Sequence, residues 1–230
     1  MAENRYDGCL RKYNQEVVNL NAGNYILRHE LAIHLKKVLA GKESRVLEIG
    51  VGEGDLTKFL LENNNKIKID ALDISPKMIA NAKRNLMAFH SKLNFICRDF
   101  LRFSSTARYD AVVSALTLHN FDSMQRKEAF KKIFSLIKNH GYFILMDKIY
   151  PDDKKLREKS FNTQMRRYDY LDPFLKKKIS DHEKQDYSPK YRMDESKILE
   201  LLKKTGFRKI NIIDRVERDV IISAATRRSL

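Results

Sequence analysis

A chain of 230 residues can bury roughly 70% of its unfolded surface, so it holds one sizeable core and leaves little for a second. Forty-five Lys and Arg against thirty Asp and Glu give a net charge of +15, which points to an anionic partner, although both signs interleave as on an ordinary solvated surface. Two cysteines, Cys9 and Cys97, exclude a disulfide framework and a CxxC metal site, and no apolar run suits a signal peptide or a bilayer span. A soluble protein of the reducing cytoplasm is expected.

Residues 1–41 read as two helices. The first carries Val17, Val18 and Leu20 and ends at Asn21-Ala22-Gly23. The second repeats Ile26, Leu27, Leu31, Leu35, Val38 and Leu39 at three- and four-residue intervals and stops at Gly41. Arg45–Ile49 is a strand, Leu56–Leu61 opens a helix, and Ile67–Asp73 is a second strand. Ser75-Pro76 then forms an N-cap and first helical residue before Met78, Ile79, Ala82 and Leu86. Leu93–Cys97 and Tyr109–Ala115 are the third and fourth strands. Asp122 and Gln125 form a capping box ahead of a helix whose buried stripe is Ala129, Phe130, Ile133 and Ile137, and Tyr142–Asp147 is the fifth strand. From Pro151 to Arg192 no strand appears; Leu156, Phe161, Met165, Tyr168 and Leu171 keep helical spacing, and Asp172-Pro173 restarts a helix through Leu175 and Ile179. Here the basic excess is densest, with seventeen basic against eleven acidic residues in 151–210, compared with twenty-four against sixteen in 1–150. A last helix runs from Asp194 to about Gly206. Phe207–Ile213 and Val220–Ala225 are strands too close in sequence for a crossover helix, so they pair antiparallel.

The stretch Val46-Leu47-Glu48-Ile49-Gly50-Val51-Gly52-Glu53-Gly54-Asp55 breaks an apolar strand into alternating glycines and resumes as a helix. Glycines there accept φ values other residues resist and let a ligand approach the backbone, while Asp73, ending the next strand, can accept hydrogen bonds from ribose hydroxyls. A dinucleotide fingerprint requires a third glycine at position 55, where this chain has Asp55, a poor neighbour for a pyrophosphate.

The order of Val46–Gly54, Asp73, Asp99-Phe100, Tyr109–Ala115 and the terminal antiparallel pair resembles the class I S-adenosylmethionine-dependent methyltransferases. The resemblance implies an α/β Rossmann-like, doubly wound, seven-stranded sheet, mostly parallel with an antiparallel last strand. A helical insertion lies between strands five and six. The whole chain is then one domain: N-terminal helices at 1–41, a cofactor core at 42–150, a substrate-cap insertion at 151–192, and the last helix and strand pair at 193–230. The resemblance also implies S-adenosyl-L-methionine as cofactor. By position, Glu48, Gly50, Gly52 and Gly54 hold its methionine part, Asp73 the ribose, Ile74 an adenine face, Asp99 the adenine amino group with Phe100 beside it, and Ala115 the methionine end through backbone. The Pro-Gly-Gly usual before the fifth strand is Asn139-His140-Gly141 in this chain.

Methyl transfer is an in-line displacement, so the protein mainly orients a nucleophile and excludes water. His119, in the loop after the fourth strand, is the catalytic candidate because it stands at the rim where the acceptor must lie and a neutral imidazole can take up a proton. Tyr168, Tyr170, His182 and Tyr187 of the insertion are candidate contacts to the acceptor, and Tyr25 and Arg28 are candidates to cover the cofactor. His29, His34, His90 and His140 show no metal-ligand arrangement, so no metal is expected. The leading expectation is methyl transfer to a small-molecule acceptor, an anionic one being compatible with the charge. An RNA-modifying role is the first alternative. Leu116-Thr117-Leu118 and Ala22-Gly23-Asn24-Tyr25 are similar to the carboxy-S-adenosylmethionine synthases that serve tRNA modification, although that family's cofactor-carboxylate-binding arginine is not assigned to a position around residues 180–192. A non-catalytic cofactor-binding interaction protein is the second alternative.

Overall fold

Alternating apolar strands and amphipathic helices build a sheet covered on both faces in the computed structural model, which describes residues 22–226. The first predicted helix lies outside the described residues. In chain order the elements are α1 (Ala22–Leu39), β1 (Ser44–Ile49), α2 (Asp55–Asn63), β2 (Ile67–Asp73), α3 (Pro76–Asn85), β3 (Leu93–Cys97) and β4 (Tyr109–Ala115). They continue with α4 (Ser123–Leu136), β5 (Ile137–Tyr150), α5 (Lys154–Arg167), α6 (Pro173–Tyr187), β6 (Met193–Asp194), α7 (Glu195–Thr205), β7 (Arg208–Val216) and β8 (Asp219–Ala225).

The sheet order is β3-β2-β1-β4-β5-β8-β7, with the two-residue β6 paired to the end of β5. Neighbours β3, β2, β1, β4 and β5 are parallel, and β8 runs antiparallel to both β5 and β7. This is the expected mostly parallel sheet with a reversed final strand. Side chains alternate across it. Leu47, Val112, Phe143 and Leu145 face a core shared with Phe130, Ile133 and Leu202, whereas Val46, Val113, Ile144 and Met146 face Leu27, Leu31, Leu56, Leu60 and Ile79.

Capping follows local chemistry. Ser75 Oγ accepts from Met78 N ahead of Pro76, and Asp122 with Gln125 forms a full capping box. Four sequence expectations are corrected. Ala22 and Gly23 are helical residues of α1 and not a turn ahead of it, and Ile26 on that helix is 52% exposed. Ile137 leaves the helix: its extended backbone starts β5 and pairs with Tyr109, so Asn139-His140-Gly141 lies inside a strand whose register shifts there. A Cβ at Gly141 would sit 2.8 Å from the Asp110 carbonyl oxygen, which is why glycine stands at this close approach. Finally, the charged stretch 214–219 is not a loop: β7 and β8 extend through it and turn only at Glu217-Arg218, with Glu217 at φ 57.

Candidate functional site

The carboxyl ends of β1, β2, β4 and β5 meet where loops 50–54, 74–75, 116–121 and the α5–α6 insertion converge. Gly50, Gly52 and Gly54 have φ of 78, 56 and 93, and the N–H groups of Gly50 and Val51 both donate to Leu72 O, pinning the turn to β2. A Cβ at Gly50 would fall 2.0 Å from Thr117 Oγ1, so the loop after β4 packs directly on the turn. A Cβ at Gly52 would meet nothing within 4 Å, which leaves open space above the backbone for a ligand.

Acids ring that space. Glu48 is 1% exposed; Thr57 Oγ1 donates to its Oε2 at 2.6 Å. Burial pushes its carboxyl from 4.5 up to about 8, against the Thr57 hydrogen bond and the Arg28 charge that pull it down. Asp73 joins two loops, its Oδ2 accepting from Gly52 N and its Oδ1 from Ser75 N, each at 2.9 Å. Burial raises its pKa in spite of these backbone donors. Asn81 Nδ2 donates to Glu53 Oε1, so α3 braces the turn from the far side. Arg28 of α1 reaches Asp55 at 3.8 Å. Tyr25 is 60% exposed and meets Phe59 edge-on at 5.1 Å, at the rim of this region. Ile74 follows Asp73 and is half open to solvent. The Oδ1 of Asp99 caps its own short turn by accepting from Leu101 N, and Phe100 is buried with the α4-side core. Ala115 O accepts from Thr117 Oγ1.

The second half of the site is a buried polar network that joins the core to the insertion. His119 is 4% exposed. Its Nδ1 lies 2.6 Å from Asp147 Oδ1, and its Nε2 turns toward Asp186 Oδ2 at 3.8 Å. Asp147 Oδ2 accepts from the backbone of Leu118 and His119, which makes it the anchor of the 116–121 loop. Burial pushes the Asp147 carboxyl up, but adjoining His119 and the bonds it accepts outweigh this and hold its pKa below the ordinary value. Lys148 Nζ donates to Asp186 Oδ2 at 2.8 Å and Glu183 Oε1 at 3.1 Å; Arg218 Nη1 donates to Glu183 Oε2 and the Tyr150 hydroxyl, both at 2.6 Å. Burial penalises the Glu183 carboxylate, yet Lys148 and Arg218 hold its pKa well below the usual range. Arg126 ties the loop to the end of the insertion by donating to the carbonyls of Leu118, Phe121 and Tyr191.

The insertion candidates separate. Tyr168 is buried, donating to Glu183 Oε1 at 3.0 Å and accepting from Gln164 Nε2. Tyr187 stacks on Phe161 at 4.2 Å and meets Tyr150 edge-on. His182 lies one residue before Glu183 on α6, half-buried. Tyr170 does not join them: it sits in the turn after α5 and is 90% exposed. Glu183, Asp186, Arg126 and Arg218 escaped the sequence reading because each is one charged residue in a charged stretch, with partners up to 68 residues away. Among the described residues no cluster of three or more His, Cys, Asp or Glu could hold a metal ion.

Residues 46–141 match the methyltransferase domain family. A carboxy-S-adenosyl-L-methionine synthase of Nautilia profundicola is 25% identical over 204 residues, covering 87% of this chain and 85% of that protein. Over its cofactor core the chain is similar to the class I S-adenosylmethionine-dependent methyltransferases. A malonyl-[acyl-carrier protein] O-methyltransferase of Ilyobacter polytropus is 33% identical over 112 residues; that match covers 49% of this chain and 39% of the relative. The magnesium protoporphyrin IX methyltransferase of Synechocystis PCC 6803 with bound S-adenosylmethionine shares the fold at a TM-score of 0.63 and 15% identity, over 98% of this chain and 89% of that one. No helix among the described residues is long and apolar enough to cross a membrane.

The residues at the glycine turn fit the family's cofactor. Open space over Gly52, a raised buried acid at Glu48 and a two-armed acceptor at Asp73 match a ligand with a sulfonium, an ammonium and a ribose but no phosphate.

Proposed function

We propose that this protein transfers a methyl group from S-adenosylmethionine to a small-molecule acceptor seated between the 116–121 loop, the end of β5 and the α5–α6 insertion. The observation that carries the reading is the acid-ringed glycine turn with its opening at Gly52. In it, Gly50, Gly52 and Gly54 take the methionine part, Glu48 balances its positive charge, and Asp73 takes the ribose. Ile74, Asp99 and Phe100 flank the adenine, Ala115 offers backbone, and Tyr25 and Arg28 close the α1 side. The cofactor supplies the electrophilic methyl group. The chain's own work is orientation and water exclusion, and His119 is the proton acceptor for an acceptor group that must lose one, with Asp147 fixing its ring. Lys148 and Arg218 are already paired with Glu183, which favours an acceptor of little net charge.

A second reading, synthesis of carboxy-S-adenosylmethionine, draws support from the relative in Nautilia profundicola. Against it, the one arginine in 180–192, Arg192, is held by Asp194 at 2.5 Å and faces the Tyr187 carbonyl. Mass spectrometry of small molecules retained by the purified protein separates the readings. S-adenosylmethionine or its demethylated product supports methyl transfer, the carboxylated cofactor supports the synthase, and neither sinks both. Cofactor retention without methyl transfer to any acceptor in a metabolite extract would instead leave a binding protein.

A further inference from the structure

Helix α5 turns Gln164 and Tyr168, the residue just past its end, toward the core, and this places Lys155, Lys159, Asn162 and Arg166 on the opposite pole. The four are spaced four, three and four residues apart, so they fall within a narrow stripe, and all four are exposed. The three cations recur about 6 and 10 Å apart along about 16 Å of helix axis. Elsewhere on the insertion Lys154 pairs with Glu158, Lys176 with Asp169, Lys177 with Asp181 and Arg167 with Glu217, while Lys184 and Lys190 are exposed cations that do not share this stripe. Among the described residues, Lys155, Lys159 and Arg166 make no ion pair with a carboxylate. Four residues past Arg166 stands Tyr170, 90% exposed, and four further on Phe174, 73% exposed. Two bare rings therefore follow a line of three cations.

We propose that this face of α5, with the turn that follows it, is a docking surface for single-stranded nucleic acid. A line of unpaired cations attracts a flexible polyanionic backbone, and exposed rings at its end offer faces on which unpaired bases stack. The chain's +15 charge adds long-range attraction of the same sign. A lipid surface suits the face less well, because Asn162 lies between the cations and the exposed Leu156 is about 100° round the helix from Lys155. The inference is independent of the acceptor chemistry above.

The test is fluorescence anisotropy of a labelled 20-nucleotide single-stranded RNA of mixed sequence, titrated with the full chain at several salt concentrations. Three phosphate contacts give a log–log salt slope of about −2. The triple variant Lys155→Gln, Lys159→Gln, Arg166→Gln should flatten that slope and weaken binding at least tenfold. Tyr170→Ala with Phe174→Ala should weaken binding about tenfold or more and leave the slope unchanged. A control with the same charge loss elsewhere, Lys66→Gln, Lys68→Gln, Lys127→Gln, should bind like the parent. Equal weakening by the stripe and control variants would reduce the effect to net charge and overturn the proposal. So would absence of RNA binding at low salt, or stripe-dependent binding to vesicles of phosphatidylcholine with phosphatidylserine in place of RNA. Circular dichroism establishes that each variant is folded.

Discussion

Glu48 gives the account a quantitative test. In the unfolded chain its carboxyl titrates near 4.5, and in the folded chain burial moves it to about 8. Between these values the folded state holds a proton that the unfolded state has lost, so stability falls as pH rises, by about 1.36 kcal/mol per unit. From pH 4.5 to 7.5 this amounts to about 4 kcal/mol, and the loss levels off above 8. Glu48→Gln keeps the shape and the contact with Thr57 but removes the titration. Urea unfolding of ligand-free parent and variant at pH 5 and pH 8 should give nearly equal stability at pH 5 and a more stable variant at pH 8. With saturating S-adenosylmethionine the order at pH 8 should reverse, because an ionised Glu48 then faces a cation. A parent and variant that lose stability in parallel between pH 5 and 8 would refute the reasoning, since the slope would arise elsewhere.

Gly50→Ala should unfold more readily and lose cofactor, as its Cβ collides with Thr117 at a φ of 78; Gly52→Ala, open to space, should lose cofactor while unfolding at a midpoint closer to the parent's. Thermal unfolding and calorimetry distinguish the two. Arg218→Met strips Glu183 of one of its two cations and should cost about 3–5 kcal/mol in urea unfolding, the typical loss when a buried pair is broken. His119→Gln should remove the acidic limb of the pH–rate profile for an acceptor that must be deprotonated, with cofactor affinity retained; an unchanged limb would take His119 out of the chemistry.

The cofactor half of the site was legible because its signals are local. Glycines at 50, 52 and 54 declare positive φ, and Asp73 follows them at the end of the next strand. The polar network beside it was legible only at His119 and Tyr168. Lys148, Glu183 and Arg218 lie on β5, α6 and a hairpin corner, and only the packing of the insertion on the sheet brings them together. The same reason hid the hairpin itself: residues 214–219 look like a polar loop, yet Arg218 is buried because Glu183 and Tyr150 receive it. Ile137 was read as helical from its spacing to Ile133, and pairing with Tyr109 overrode that local preference. Tyr170 and Tyr168 are two residues apart with opposite fates, since Tyr168 caps the helix that ends at Arg167 and Tyr170 lies in the turn beyond it.

The central claim is that the acid-ringed turn holds S-adenosylmethionine, and isothermal titration of the parent and of Asp73→Ala tests it most directly. The account predicts micromolar binding of S-adenosylmethionine or its demethylated product to the parent and severe weakening in the variant. A folded parent that binds neither ligand would contradict it.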